Sequence, residues 1–253
     1  MLRSMVERRH TKILIMQHRY VGDIGDYIKL ALLRAISPGH RLGVAWWLYP
    51  DEDHNSDGRH VSYLEEPGEW SRFDPPVYDA LAGIVASGDR HVRALENSCL
   101  IPNAIYHGTV YPATALPQHR QAERARWFGG ARETTDSCDI VFVDPDNGLQ
   151  PDGYNPHGRT AGKSIELNEL RMLSRPDRCL VVYHHQTRRK GGHLAEIAHW
   201  NERLQHAGLG SVAAVRARPY SPRVFFLLNA PEGVLKCAER LTETWRDKLT
   251  WHD

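Results

Sequence analysis

Ile140-Val141-Phe142-Val143-Asp144-Pro145-Asp146-Asn147-Gly148 is the stretch on which the fold turns. Four consecutive apolar residues form a strand-sized run, and Asp-Pro followed by Asn-Gly is a turn composition that cannot continue it. Working upstream, Leu42 to Tyr49 has a second buried-strand pattern, preceded by a helix over Tyr27 to Ile36. Leu30, Leu32 and Leu33 give that helix an apolar face, and Ser37-Pro38-Gly39 stops it. Val77 to Ala86 and His91 to Asn97 read as helical, and Ala104 to His107 as a short strand. Downstream, the spacing predicts a helix from Ile165, a strand over Cys179 to Tyr183 and an amphipathic helix over Leu194 to Ala207. Two closing strands follow, Val212 to Ala217 and Arg223 to Asn229, joined by a hairpin at Arg218 to Pro222. Alternating strands and helices predict an α/β fold. It is a Rossmann-like three-layer sheet, mostly parallel with a C-terminal antiparallel hairpin. The whole chain, 1–253, reads as a single domain with long loops at 50–60, 108–137 and 150–162.

Composition narrows the class of protein. The 253 residues are 41% hydrophobic and 25% charged, which excludes disordered, collagenous and coiled-coil chains. No apolar run approaches the ~20 residues of a membrane helix. Near the start, Ile13 to Met16 is shorter than the ~7-residue apolar core of a signal peptide, so a cytoplasmic protein without membrane contact is expected. The four cysteines are far apart and read as reduced thiols. Net charge is +1, yet 26 of the 32 basic residues are arginine, the side chain suited to bidentate phosphate contacts.

Ligands of open α/β sheets bind beyond the carboxyl ends of the strands. Four polar blocks fall at such positions. In Gly22-Asp23-Ile24-Gly25-Asp26-Tyr27-Ile28-Lys29, Asp23 suits a helix N-cap and Asp26 the first turn. Lys29 shares nearly the same face as Asp26 and is expected to hold a phosphate or the carboxylate. Asp144 and Asp146 are candidates for activating water or stabilising a cation, and Asn147 for hydrogen-bonding a base edge. His184-His185-Gln186 ends a strand and suits polarising or recognising a substrate group. Arg188, Arg189, Lys190 and His193, spaced by glycines, form a basic loop able to approach phosphates, which Arg216, Arg218 and Arg223 extend. The polar segment 51–60 contributes Asn55 as a binding candidate. It also holds a metal-ligand candidate set, His54, Asp57 and His60, although no HExxH or Cys/His quartet is present. Asp23, Asp26, Asp144, Asp146 and His184 are thus the catalytic candidates. The substrate-binding candidates are Lys29, Asn55, Asn147, His185, Gln186, Arg188, Arg189, Lys190 and His193.

The first block resembles the Gly-Asn-x-Ala-Asp-x-x-Lys opening of 23S ribosomal RNA adenine-N6 methyltransferases, through Gly22, Asp23, Gly25, Asp26 and Lys29. Asp144-Pro145-Asp146-Asn147 stands where that family has Asp-Pro-Pro-Tyr, and the strand at Val181 to Tyr183 and the closing hairpin fit its order. Two departures weigh against methyl transfer. Asp146-Asn147 removes the aromatic on which the adenine stacks. Acids crowd residues 51–60, where the Gly-rich S-adenosylmethionine loop belongs. The blocks Gly-Asp-x-Gly-Asp, Val-Asp-Pro-Asp-Asn-Gly and Tyr-His-His-Gln are also similar to those of bacterial proteins associated with DNA glycosylases of anti-phage defence. That resemblance implies a hydrolase removing a base from DNA, or RNA, by cleaving the N-glycosidic bond, with no cofactor. The alternatives are an S-adenosylmethionine-dependent methyltransferase of RNA or DNA, and a non-enzymatic nucleic-acid binder.

Overall fold

A computed structural model describes residues 20–50 and 60–253. The elements run α1 (Ile24–Ile36), β1 (Leu42–Trp46), α2 (Pro67–Trp70), α3 (Pro75–Ser87), α4 (Val92–Asn97) and β2 (Ile105–His107). Next come α5 (Arg120–Thr134), β3 (Ile140–Asp144), β4 (Gly148–Leu149), β5 (Ser164–Ile165), α6 (Leu167–Leu173) and β6 (Cys179–His185). The chain ends with α7 (Gly192–His206), β7 (Val212–Ala217), β8 (Arg223–Leu228), α8 (Glu232–Thr244) and β9 (Leu249–His252).

Seven strands form one mixed sheet in the order β2-β1-β3-β6-β8-β7-β9. The first four are parallel, and β8 is antiparallel to both β6 and β7. The Rossmann-like α/β fold is therefore present, with its hairpin, but β9 extends the sheet one strand past that hairpin. Each central strand is buried on both faces, and the two-residue pleat sorts its side chains. Leu42, Val44 and Trp46 of β1, with Ile140 and Phe142 of β3, pack towards α1, α3 and α8. Ala45, Val141 and Val143 pack towards α5, α6 and α7. Each large side chain so buried contributes about 1.5–3 kcal/mol.

Two segments depart from expectation. Residues 108–137 were expected as a loop, but α5 occupies much of that span. Its buried face is Arg124, Trp127, Phe128 and Ala131, so a charged residue sits at a core position and blurs the apolar stripe. The helix expected from Ile165 starts at Leu167, because Ser164 and Ile165 pair with Gly148 and Leu149 in a small second sheet.

The topology places a cleft. The chain leaves β1 for β2 on one side, and leaves β3 for β6 on the other, so the order reverses between neighbours β1 and β3. The carboxyl ends of those strands form a switch point, where α/β sheets open a crevice. Helix α1 runs into β1 through the short Ser37–His40 turn, which returns its amino end to this edge. Aromatic packing fixes it there: Tyr27 stacks on Tyr63 at 5.4 Å and meets Trp245 at 5.1 Å, and the Tyr27 hydroxyl donates to the Trp70 carbonyl.

The turn leaving β3 depends on Gly148. Its φ is +83°, its N–H donates to the Pro145 carbonyl, and a Cβ added there would stand 2.5 Å from the Cα of His184. Gly148→Ala combines a disfavoured backbone with a clash against backbone, and is expected to cost about 2 kcal/mol or more. Urea unfolding of the purified variant reads this, and an unchanged midpoint would show that the turn adapts.

Candidate functional site

A cleft of about 360 Å³ opens at the switch point. Residues from three of the four polar blocks line it directly. They are Asp23, Gly25, Asp26 and Lys29 from α1 and its cap, Asp144, Asp146 and Asn147 after β3, and His185 at the end of β6. His60 reaches it from the end of the fourth block.

Its floor is an ion triad. The Lys29 ammonium donates to Asp26 Oδ1 at 3.0 Å and to Asp144 Oδ2 at 2.5 Å. Lys29 sits one turn along α1 from Asp26, so both point the same way. The ammonium also lies 5.4 Å from the centroid of the Trp46 ring and 6.0 Å from that of Tyr183. Burial alone pulls the ammonium's pKa down, but the flanking Asp144 and Asp26 carboxylates outweigh it and hold it above the ordinary range. Two carboxylates share one cation, and burial leaves Asp144 above the usual carboxylate range despite Lys29.

Asp23 has no part in that triad. It is the N-cap of α1, with Oδ1 accepting from the Gly25 N–H at 2.7 Å and Oδ2 from the His60 N–H at 3.3 Å. Burial raises its pKa, opposed by the Gly25 N–H and the Arg223 charge. The capping reading of Asp23 is borne out. The cleft therefore holds two carboxyls of raised pKa, Asp23 and Asp144, the second of which shares the Lys29 ammonium with Asp26.

Other expected residues lie elsewhere. His184 is on the opposite face of β6 from Tyr183 and His185, as the pleat requires. There its Nδ1 accepts from the Leu149 N–H, and its Nε2 lies 3.3 Å from Glu196. Gln186 is buried but structural: it donates to the His193 carbonyl and accepts from Arg216, whose guanidinium also meets His193 Nδ1. Arg188 and Lys190 are exposed on the loop after β6, and Arg189 lies against Asp152 and His199. None of these borders the cleft. Asn55, and His54 and Asp57 of the metal set, lie outside the described residues. Among the described residues no group of three His, Cys, Asp or Glu side chains is arranged to hold a metal ion.

The cleft also has residues that the sequence left unmarked. Trp46 ends β1 and Trp47 follows it, Tyr183 ends the apolar run of β6, and Lys163 lies 5.0 Å over the Tyr49 ring. The strand-end rule was signal enough for Tyr183. Arg223, expected on a basic surface strip, is 3% exposed at the cleft wall. It opens β8, and the antiparallel register seats it opposite His185 at the same edge.

No protein-family model matches the sequence, and no curated protein does either. No helix among the described residues is long and apolar enough to cross a membrane.

Replacing Lys29 tests the triad. Lys29→Met leaves two buried carboxylates without their cation and is expected to cost about 3–5 kcal/mol near neutral pH. Without the ammonium, burial and mutual repulsion raise the folded-state pKa values of the two carboxyls. The penalty is therefore full above those raised values and shrinks as pH falls and the carboxyls protonate. Denaturant unfolding near pH 7.5 and near pH 4.5 measures both; an equal penalty at the two would count against charge pairing.

Proposed function

We propose that the protein is a nucleic-acid-acting hydrolase, removing a base from DNA by cleaving an N-glycosidic bond in the switch-point cleft. The observation that carries this reading is the convergence of Asp23, the Asp26–Lys29–Asp144 triad, Asn147 and His185 on one cavity walled by Trp46 and Tyr183. Its volume of about 360 Å³ suits a single flipped nucleoside better than a duplex.

The proposed chemistry uses those groups as follows. As the C1′–N bond breaks, positive charge develops on the sugar, and the net negative triad stabilises it. Asp23, whose carboxyl is held above the usual range by burial and which no ammonium among the described residues engages, takes a proton from the attacking water. The oxygen joins C1′, and the departing base leaves with a proton from the His185 side or from solvent. Asn147 and His185, exposed at the rim, offer hydrogen bonds to the base edge. The products are a free base and an abasic site, and no cofactor takes part. The resemblance to anti-phage glycosylases makes modified phage bases the first substrates to examine.

A second reading has one specific observation behind it. The sheet seats β8 antiparallel between β6 and β7, in keeping with the resemblance to adenine methyltransferases, and Asp144-Pro145-Asp146-Asn147 leaves β3 where that family accepts the adenine amine. Against it, Asp144 is already engaged by Lys29.

Incubation with a panel of DNAs, including phage DNA carrying modified bases, followed by alkali, should reveal strand breaks at abasic sites. Asp23→Asn, which keeps a capping acceptor but no base, should slow cleavage by about 10²–10⁴-fold. No abasic sites across the panel, together with micromolar binding of S-adenosylmethionine by calorimetry, would transfer the assignment to the methyltransferase reading. The exposed loop after β6 gives an independent check on a polymeric substrate. Replacing Arg188 and Lys190 with Ala should flatten the salt dependence of DNA binding by about 2 units of log–log slope. An unchanged slope would confine recognition to the cleft.

A further inference from the structure

Three arginines are buried among the described residues, and they differ in how their donors are used. Arg124 donates from Nε to Glu169, from Nη1 to the Tyr154 hydroxyl and the Ala161 carbonyl, and from Nη2 to Glu169 and the Ser164 carbonyl. Arg178 gives all three nitrogens to the carbonyls of Cys138, Leu173, Thr135 and Asp136. Among the described residues, Arg223 has a partner at Nη2 alone, the Ser221 hydroxyl at 2.6 Å, while Nε and Nη1 have none.

Buried cationic donors without acceptors are costly, so they persist where a ligand completes them. Among the described residues, the surrounding carboxylates do not complete this one. Asp23 serves the Gly25 and His60 N–H groups, Asp26 serves the Gly22 N–H and Lys29, and Asp144 serves Lys29. The start of α1 is not itself the anion site, since the Ile24 N–H donates to the His60 carbonyl and the Gly25 N–H to Asp23. Instead α1 makes room for the guanidinium: a Cβ on Gly25 would stand 2.8 Å from Arg223 Nη1. Nε and Nη1 of Arg223 are thus buried donors without acceptors at the cleft wall, and a ligand that completes them must bring an acceptor to that wall. Lys29, Lys163 and Arg223 oppose the four lining carboxyls of Asp23, Asp26, Asp144 and Asp146, so an anion would be held by contact with Arg223 and not by the net charge of the cleft.

We infer that Arg223 is the phosphate-binding residue of the cleft, engaging a phosphate oxygen of the nucleotide whose sugar and base the cavity receives. This rests on the base-removal reading for the identity of the ligand, but the need for an oxyanion comes from the guanidinium itself. Bidentate contact is not required, since Nε and Nη1 lie on different edges of the group.

Calorimetry on the full chain with inorganic phosphate, deoxyadenosine and deoxyadenosine monophosphate provides the test. Wild-type protein should bind the nucleotide about 10- to 100-fold more tightly than the nucleoside, the gain expected of a charge-assisted hydrogen bond. Arg223→Gln should erase that difference, with folding verified by circular dichroism. Gly25→Ala, which keeps the charge but crowds Nη1, should narrow it, and serves if Arg223→Gln does not fold. Equal binding of nucleotide and nucleoside by the wild type, or a difference that survives in Arg223→Gln, would overturn the assignment. Phosphate binding that Arg223→Gln abolishes, with nothing added by sugar and base, would uphold the oxyanion site and overturn the base-removal reading.

Discussion

One ammonium group joins the two halves of the site. Lys29 Nζ lies between Asp26, one helical turn away, and Asp144, 115 residues later at the end of β3. The contact is largely buried, and removing the ammonium leaves two carboxylates side by side without their cation. It ties the amino end of α1 to the carboxyl end of the central strand. The aromatic packing around Tyr27 and the Asp23 cap then orient the same helix end from its other sides. The cleft exists because those three constraints agree.

Arginine abundance has a partly architectural meaning here. Arg124 gathers the chain between Tyr154 and Glu169 onto α5, and Arg178 gathers the carbonyls at the far end of the sheet. Each replaces several separate backbone partners with one planar, multiply donating group. Arg223 has the same burial without the same saturation, and this contrast distinguishes a binding group from a structural one. Net charge, at +1, carries no trace of the difference.

The candidate site also shows how far a motif extends in space. Tyr183-His184-His185-Gln186 is contiguous in sequence, yet its side chains divide between functions. Tyr183 and His185 border the cleft, His184 braces β4 and α7, and Gln186 ties the loop to Arg216. A strand reverses its side chains at each residue, so at most alternate members of such a block share one cavity. Asp144 obeys that rule as the last residue of β3, whereas Asp146 and Asn147 escape it because they lie in the turn that follows.

The sequence by itself determined the α/β class, the strands over 140–143, 179–183, 212–217 and 223–229, the closing hairpin, and the polar blocks at one sheet edge. Those features are local: apolar runs of strand length, turn residues that end them, and a cap residue before a helix. Helix α5 stayed hidden because Arg124 occupies a core position, an arrangement made possible only by partners 30 to 45 residues away. Which block members face the cleft was decided by the pleat and by pairing register. Arg223 reached it because an antiparallel strand brings its first residue to the edge where parallel strands end. Direction within a sheet is a pairwise property of strands, settled by which surfaces bury one another, and no single segment encodes it.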